Sequence, residues 1–118
     1  KDKYTTYRTS PMLTLVFDIG KTNKKCLIFD QHLHVVEEET VRMPEVEDPD
    51  GYPCEDLQRL SNWLLNTFLE KQKKYKADIS ALNFSTYGAS FVMLGETGKP
   101  VTPLYNYLKP FPQSLYEQ

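Results

Sequence analysis

The chain has 118 residues, enough for one small domain with a core, and its 40% apolar and 25% charged residues are ordinary for a globular protein. A net charge of -2 leaves no electrostatic footprint for nucleic acid, and no apolar run approaches the length that spans a membrane.

Residues 1–11 are polar, dotted with aromatic rings and unpatterned, and they read as a flexible leader ending at Pro11. The leader begins with Lys1 rather than methionine and has no signal-peptide pattern, so the chain reads as a processed or cut piece. Cys26 and Cys54 lack metal-ligand spacing and read as free thiols of a reducing, cytoplasmic compartment.

Leu13 to Asp30 organises the rest of the chain. Two strand-length apolar runs, rich in β-branched and aromatic residues, flank the polar loop Gly20 to Lys24, a pattern that predicts a hairpin. Around its tip stand Asp18, Thr22, Asn23 and Lys25: a carboxylate, a hydroxyl, an amide and an ammonium. That set suits a metal-bound polyphosphate, because backbone N–H groups in a glycine turn cradle phosphate oxygens and a carboxylate can hold hydrated Mg²⁺. The competing reading is an ordinary hairpin with a polar turn. A Walker A loop is excluded, since Leu15 stands five residues before Gly20 where glycine is required, and a strand comes next instead of a helix.

Asp30-Gln31-His32 predicts a tight turn, and His34 to Arg42 a third antiparallel strand through Val35, Val36, Thr40 and Val41. Glu37-Glu38-Glu39 reads as a solvated part of that strand. His32 and His34 have the spacing of a ligand pair but no third ligand nearby, which disfavours metal. Pro44, Pro49, Asp50-Gly51 and Pro53 predict a long loop over residues 43–53. A helix is expected from Cys54 to Tyr75, with Glu55 and Asp56 in its first turn and Leu57, Leu60, Leu64, Phe68 and, on the flank, Leu65 on its apolar face. Trp63 falls at the edge of that stripe and reads as core. Lys71, Lys73, Lys74 and Lys76 read as cations complementing the helix C-terminus. Ile79 to Ser85 then reads as a strand, and Gly88 stands just beyond its C-terminal end, where open α/β sheets bind ligands. Gly95 to Pro100 predicts a further hairpin turn. The order of elements is α/β and ribonuclease H-like: a three-stranded antiparallel unit, a crossover helix, a parallel strand and a further hairpin.

Asp18, Gly20, Thr22, Asn23 and Lys25 spell Asp-x-Gly-x-Thr-Asn-x-Lys, which resembles the first phosphate motif of the sugar kinase, actin and heat-shock ATPase superfamily. Within it the chain is most similar to the FGGY carbohydrate kinases, with Lys21 where they usually carry threonine. Ser85-Thr86-Tyr87-Gly88 with Phe91 and Leu94 resembles the rhamnulokinase version of the second segment, and Gly98-Lys99-Pro100 and Tyr105-Asn106 are similar to the FGGY turn and sugar-side segment that follow it. Tyr107 replaces the usual aspartate, Ala89 or Ser90 stands where many members have a polar sugar contact, and Leu108 to Pro112 replaces an arginine-bearing segment. The bidentate sugar contacts those groups provide are therefore missing.

The resemblance implies an actin-like ATPase fold and ATP- and Mg²⁺-dependent phosphorylation of a sugar or polyol hydroxyl by a longer protein. Asp18 would be the metal-water ligand; Gly20, Lys21, Thr22, Asn23 and Lys25 would surround the ATP phosphates; Tyr87, Gly88, Tyr105 and Asn106 would line the sugar side. The altered sugar segment favours a less polar deoxy-ketose. The general base and adenosine site are expected beyond Gln118, so no catalytic residue is assigned here. Residues 12–118 would be the N-terminal part of a first ribonuclease H-like domain, inactive alone and prone to pair as a homodimer through its open parallel edge. The alternative is a non-catalytic ribonuclease H-like module that binds nucleotide or a partner, consistent with a retained phosphate loop beside an altered sugar segment.

Overall fold

The computed structural model describes residues 12–117, and the leader expected over residues 1–11 lies outside them. Two compact units divide the chain: residues 12–42 with 64–86, and residues 43–63 with 87–117. The long helix contributes to both.

The first unit is a four-stranded sheet. β1 (Leu13–Ile19), β2 (Asn23–Phe29) and β3 (Val35–Arg42) form an antiparallel meander, and β6 (Ile79–Thr86) lies parallel to β1, giving the order β3-β2-β1-β6. Strict alternation explains β1: Leu13, Leu15, Phe17 and Ile19 are buried, while Thr14, Val16 and Asp18 point to the opposite face. The register places Cys26 opposite Phe17 and Ile28 opposite Leu15, so both extend the buried face. Fully burying side chains such as Leu15, Phe17 and Ile28 contributes roughly 1.5–3 kcal/mol each. Burial also pushes the Cys26 thiol up to about 11, against the pull of the Lys71 ammonium.

Residues 64–75 of the helix α1 (Leu57–Tyr75) cover this face over β2 and β3, with Thr67 and Lys71 buried. β6 has less cover. Phe84 stacks on Phe17, with ring centroids 5.6 Å apart, yet Leu82 and Phe84 remain about half exposed and β6, like β3, is an edge strand of the described sheet.

The expected order of elements is present, with local corrections. The helix begins at Leu57 rather than Cys54, and Asp56 caps it by accepting the Arg59 N–H at 2.9 Å. Cys54 belongs instead to β5 (Pro53–Cys54), which pairs with β4 (Val46–Glu47) inside the expected loop. The Asp48 carboxylate makes that hairpin, accepting the Asp50 and Tyr52 N–H groups at 2.9 and 3.0 Å while Gly51 takes a positive φ of 77°. Leu65 is exposed rather than part of the core stripe. The three glutamates are not uniformly solvated: Glu37 and Glu39 share the helix-facing side with Ile28 and Cys26, and both accept from Lys71 Nζ, at 2.9 and 3.0 Å. Lys71 is thus an interior ion-pair partner rather than a surface cation, because the register turns two carboxylates toward it. Lys74 also reaches Glu37, at 2.9 Å.

In the second unit, Leu94 and Pro100 bridge across the expected Gly-Lys-Pro turn. The Gly95 N–H donates to Lys99 O at 2.9 Å, and Gly98 has a φ of 73°. Segment 101–107 is held by a bridge between Leu104 and Glu55 rather than by a continuous strand.

Candidate functional site: a polar hairpin tip and an aromatic pocket

The β1–β2 tip is built by register. Asp18 pairs with Lys25 across the hairpin, Asp18 with Ser85 on β6, and Lys25 with Thr40 on β3. A row of hydroxyl, carboxylate, ammonium and hydroxyl therefore crosses the sheet on the face opposite the helix. Lys25 Nζ also contacts Glu38 Oε1 at 2.9 Å, two residues along β3 from Thr40. That glutamate, and secondarily Asp18, raises the pKa of the Lys25 ammonium.

The loop between the strands is tight. A Cβ on Gly20 would lie 2.7 Å from the Asn23 carbonyl oxygen, inside any tolerated contact, so only glycine fits this turn. Asn23 Oδ1 accepts from Arg42 Nε at 3.2 Å, while Thr22 is exposed at the apex. Beneath the loop, fully buried Lys24 donates from Nζ to the Lys21 carbonyl at 2.8 Å, bracing the turn from inside. The structure thus gathers Asp18, Gly20, Lys21, Thr22, Asn23 and Lys25 at one tip. Sequence reading missed the supports Lys24 and Arg42. The alternation of β2 carried a signal for Lys24, since it shares the parity of Cys26 and Ile28.

In the second unit, Tyr105, Asn106 and Tyr107 line a pocket of about 480 Å³ together with Phe91, Phe111 and Lys109, among others. Lys109 Nζ binds Asp48 and, at 2.6 Å, Asp50, and it lies 4.8 Å from the centre of the Tyr105 ring. The ammonium holds the Asp48 carboxyl below the usual range, helped by the Tyr52 and Asp50 N–H groups. Asn106 Oδ1 accepts the Leu108 N–H at 2.9 Å, which folds its segment into a turn. Tyr87 and Gly88 are not among the lining residues. The Tyr87 hydroxyl donates to Glu55 Oε2 at 3.0 Å, and its ring lies 6.2 Å from that of Tyr107. Burial, then the Glu55 carboxylate, pushes the Tyr87 phenol up to about 12, so it stays protonated as a donor. Gly88 faces open space, where an added Cβ would meet nothing within 4 Å. Of the four residues expected on the sugar side, two therefore line the pocket and one stands behind it through Tyr107.

No family model and no curated protein matches the chain. Solved structures do match its fold. A carbohydrate kinase from Novosphingobium aromaticivorans superposes with a TM-score of 0.74 at 21% identity, over 87% of this chain and 21% of that one. Gluconate kinase from Lactobacillus acidophilus gives 0.67 at 20% identity, over 80% and 19%. Plasmodium falciparum glycerol kinase, solved with ADP, gives 0.63 at 17% identity, over 79% and 20%. The chain thus has the mixed α/β fold of a segment of these carbohydrate kinases. It spans about one fifth of the length of each.

Proposed function

We propose that this chain is the N-terminal part of the first ribonuclease H-like domain of an FGGY-type carbohydrate kinase. The full-length, cytoplasmic protein would transfer the γ-phosphoryl of ATP to a sugar or polyol hydroxyl. One observation carries the reading: the Asp-x-Gly-x-Thr-Asn-x-Lys residues converge on a tight tip in a fold shared with three carbohydrate kinases.

The tip fits a metal-bound polyphosphate. Only glycine allows the tight turn at position 20, where an added Cβ would strike the Asn23 carbonyl, and the Asp18 carboxylate lies in a polar row between Ser85 and Lys25. Asp18 would hold hydrated Mg²⁺, which when bound neutralises phosphate charge and favours in-line transfer. Backbone donors around Gly20 and Lys21, with the Thr22 hydroxyl and Asn23 amide, would orient phosphate oxygens. Lys25 would screen their charge, exchanging part of its contact with Glu38 for the nucleotide. Lys24 holds the loop shape from below, so that positioning and electrostatics are set before substrate arrives. On the sugar side, Tyr105 and Asn106 would contact substrate directly, Tyr87 would fix Tyr107, and Gly88 would leave room for close approach.

The test is Asp18→Asn in the full-length protein. Loss of Mg²⁺-dependent phosphoryl transfer with an unchanged circular dichroism spectrum is expected, and near wild-type turnover would refute the assignment. Binding of Mg-ATP without transfer to any sugar by the unaltered protein would favour the non-catalytic module.

A further inference from the structure

The hairpin tip holds a cation that the phosphate motif does not include. Arg42 is the last residue of β3, and the register sets it directly opposite Asn23, the first residue of β2. Resting on the kinase reading above, we propose that Arg42 is a positioning residue: it turns the Asn23 amide so that the nitrogen, and not the oxygen, faces the nucleotide phosphates.

The polarity of the contact fixes the amide. Arg42 Nε lies 3.2 Å from Asn23 Oδ1, and both residues are exposed, within reach of a ligand. A guanidinium has donors only, whereas a primary amide has an acceptor at one end and two donors at the other. Only the oxygen can therefore turn toward Arg42, which leaves Nδ2 pointing away from it. Among the described residues Nδ2 has no protein partner. Without Arg42 the amide could take either orientation, and the one presenting Oδ1 would set a partial negative charge against a polyphosphate.

Register puts this contact on the right face. The Asn23–Arg42 pair lies two positions along from the Lys25–Thr40 pair, so all four side chains project from the side opposite the helix, the side of Asp18. The cations there are used differently. Lys25 is paired with Glu38 at 2.9 Å, whereas Arg42 meets a neutral amide and, among the described residues, no carboxylate. An ionised donor on Oδ1 also polarises the amide, which makes Nδ2 a better donor in turn. Lys24 does for the backbone what Arg42 does for the side chain. A trans peptide points its C=O and N–H in opposite directions, so drawing the Lys21 carbonyl inward to Lys24 at 2.8 Å turns the Thr22 N–H outward. Two donors adjacent in the chain are thus aimed by cations behind them.

The test is a double-mutant cycle on the full-length protein. Affinity for the Mg²⁺ complex of AMP-PNP, a non-hydrolysable ATP analogue, is read by calorimetry, so that no turnover is needed. Arg42→Met is expected to weaken binding about fivefold with an unchanged melting temperature. On an Asn23→Ser background the same substitution should change affinity by no more than about twofold, since a serine hydroxyl rotates to donate or accept and needs no orienting neighbour. A loss of about fivefold that persists on that background would mean that Arg42 meets the phosphates itself, and would overturn the positioning role. Arg42→Met binding as tightly as the unaltered protein would overturn it too, and either result leaves the kinase reading intact. Failure of the unaltered protein to bind Mg²⁺ and AMP-PNP at all would overturn the kinase reading, and this inference with it.

Discussion

Lys71 is where the first unit should be most sensitive to a single substitution. Its side chain is 3% exposed and its ammonium lies 2.9, 3.0 and 3.2 Å from Glu37, Glu39 and Glu70. Replacing it with methionine keeps most of the stem but deprives Glu37 and Glu39 of their shared cation, on neighbouring same-face positions of β3 under the helix. Breaking a buried pair in this way typically costs about 3–5 kcal/mol. Here Glu37 and Glu39 are 23% and 36% exposed and Lys74 still reaches Glu37, so water and a second cation soften the loss. We expect about 2–3 kcal/mol, which corresponds to roughly 30–150-fold faster amide exchange in β3 and residues 64–75 if local opening governs exchange. Hydrogen exchange on the full-length protein, read by mass spectrometry over those segments, measures it directly. Lys71→Arg, which keeps the charge, should recover most of the protection. A Lys71→Met protein whose β3 exchanges within about threefold of wild type would show that the ion pairs contribute little, and that the aliphatic stem alone accounts for the burial.

Acid should weaken the same contact. Hydrogen bonds from Tyr75, then Lys71 and Lys74, lower the Glu37 pKa from 4.5 to about 2. The group therefore adds stability at neutral pH that is lost as pH falls from about 4.5 toward 2, with an upper bound of roughly 3 kcal/mol. Glu37→Gln should flatten that part of a stability-versus-pH curve, and an unaltered acid limb would refute the linkage. Gly20→Ala forces the Asn23 carbonyl to move and should lower turnover by about a hundredfold, as misplacement on the order of 1 Å can, with little change in melting temperature; wild-type turnover would show that the loop shape is not critical. The isolated 118-residue chain should self-associate, because β6 leaves an unpaired parallel edge beside exposed Leu82 and Phe84. Sedimentation as a monomer at all concentrations, with cooperative urea unfolding, would contradict this.

What could be read from the sequence was what depends on local periodicity. The alternation of Leu13, Leu15, Phe17 and Ile19 declares a one-sided strand, and the Gly20 loop declares the turn, so the tip and its residues emerge without knowledge of the fold. The helix stripe at Leu57, Leu60, Leu64 and Phe68 was legible for the same reason. The two interior lysines were not read. Lys71 looks like a helix-end cation until β3 brings Glu37 and Glu39 to it from more than thirty positions away. Cys54 looks like helix until the Asp48 turn pairs it with Val46, a preference held by one carboxylate and two N–H groups rather than by any period. Likewise nothing in Tyr105-Asn106-Tyr107 announces that Lys109 is neutralised by Asp48 and Asp50, about sixty residues earlier.

The pairing of β1 with two partners also sets an order of events during synthesis. Thr14 meets Phe29 within one hairpin, but Leu13 meets Ile79 and Ile19 meets Thr86 only after the helix has been made. At about 5–20 residues per second, the ribosome needs roughly 3–10 s to extend from the end of β2 to the end of β6. Hairpins close in microseconds, so the tip carrying Asp18 and Lys25 can take shape long before its neighbour exists. For those seconds the outer side of β1 has unpaired amides beside Leu15 and Phe17, and the parallel strand must win that edge from any other chain that arrives first.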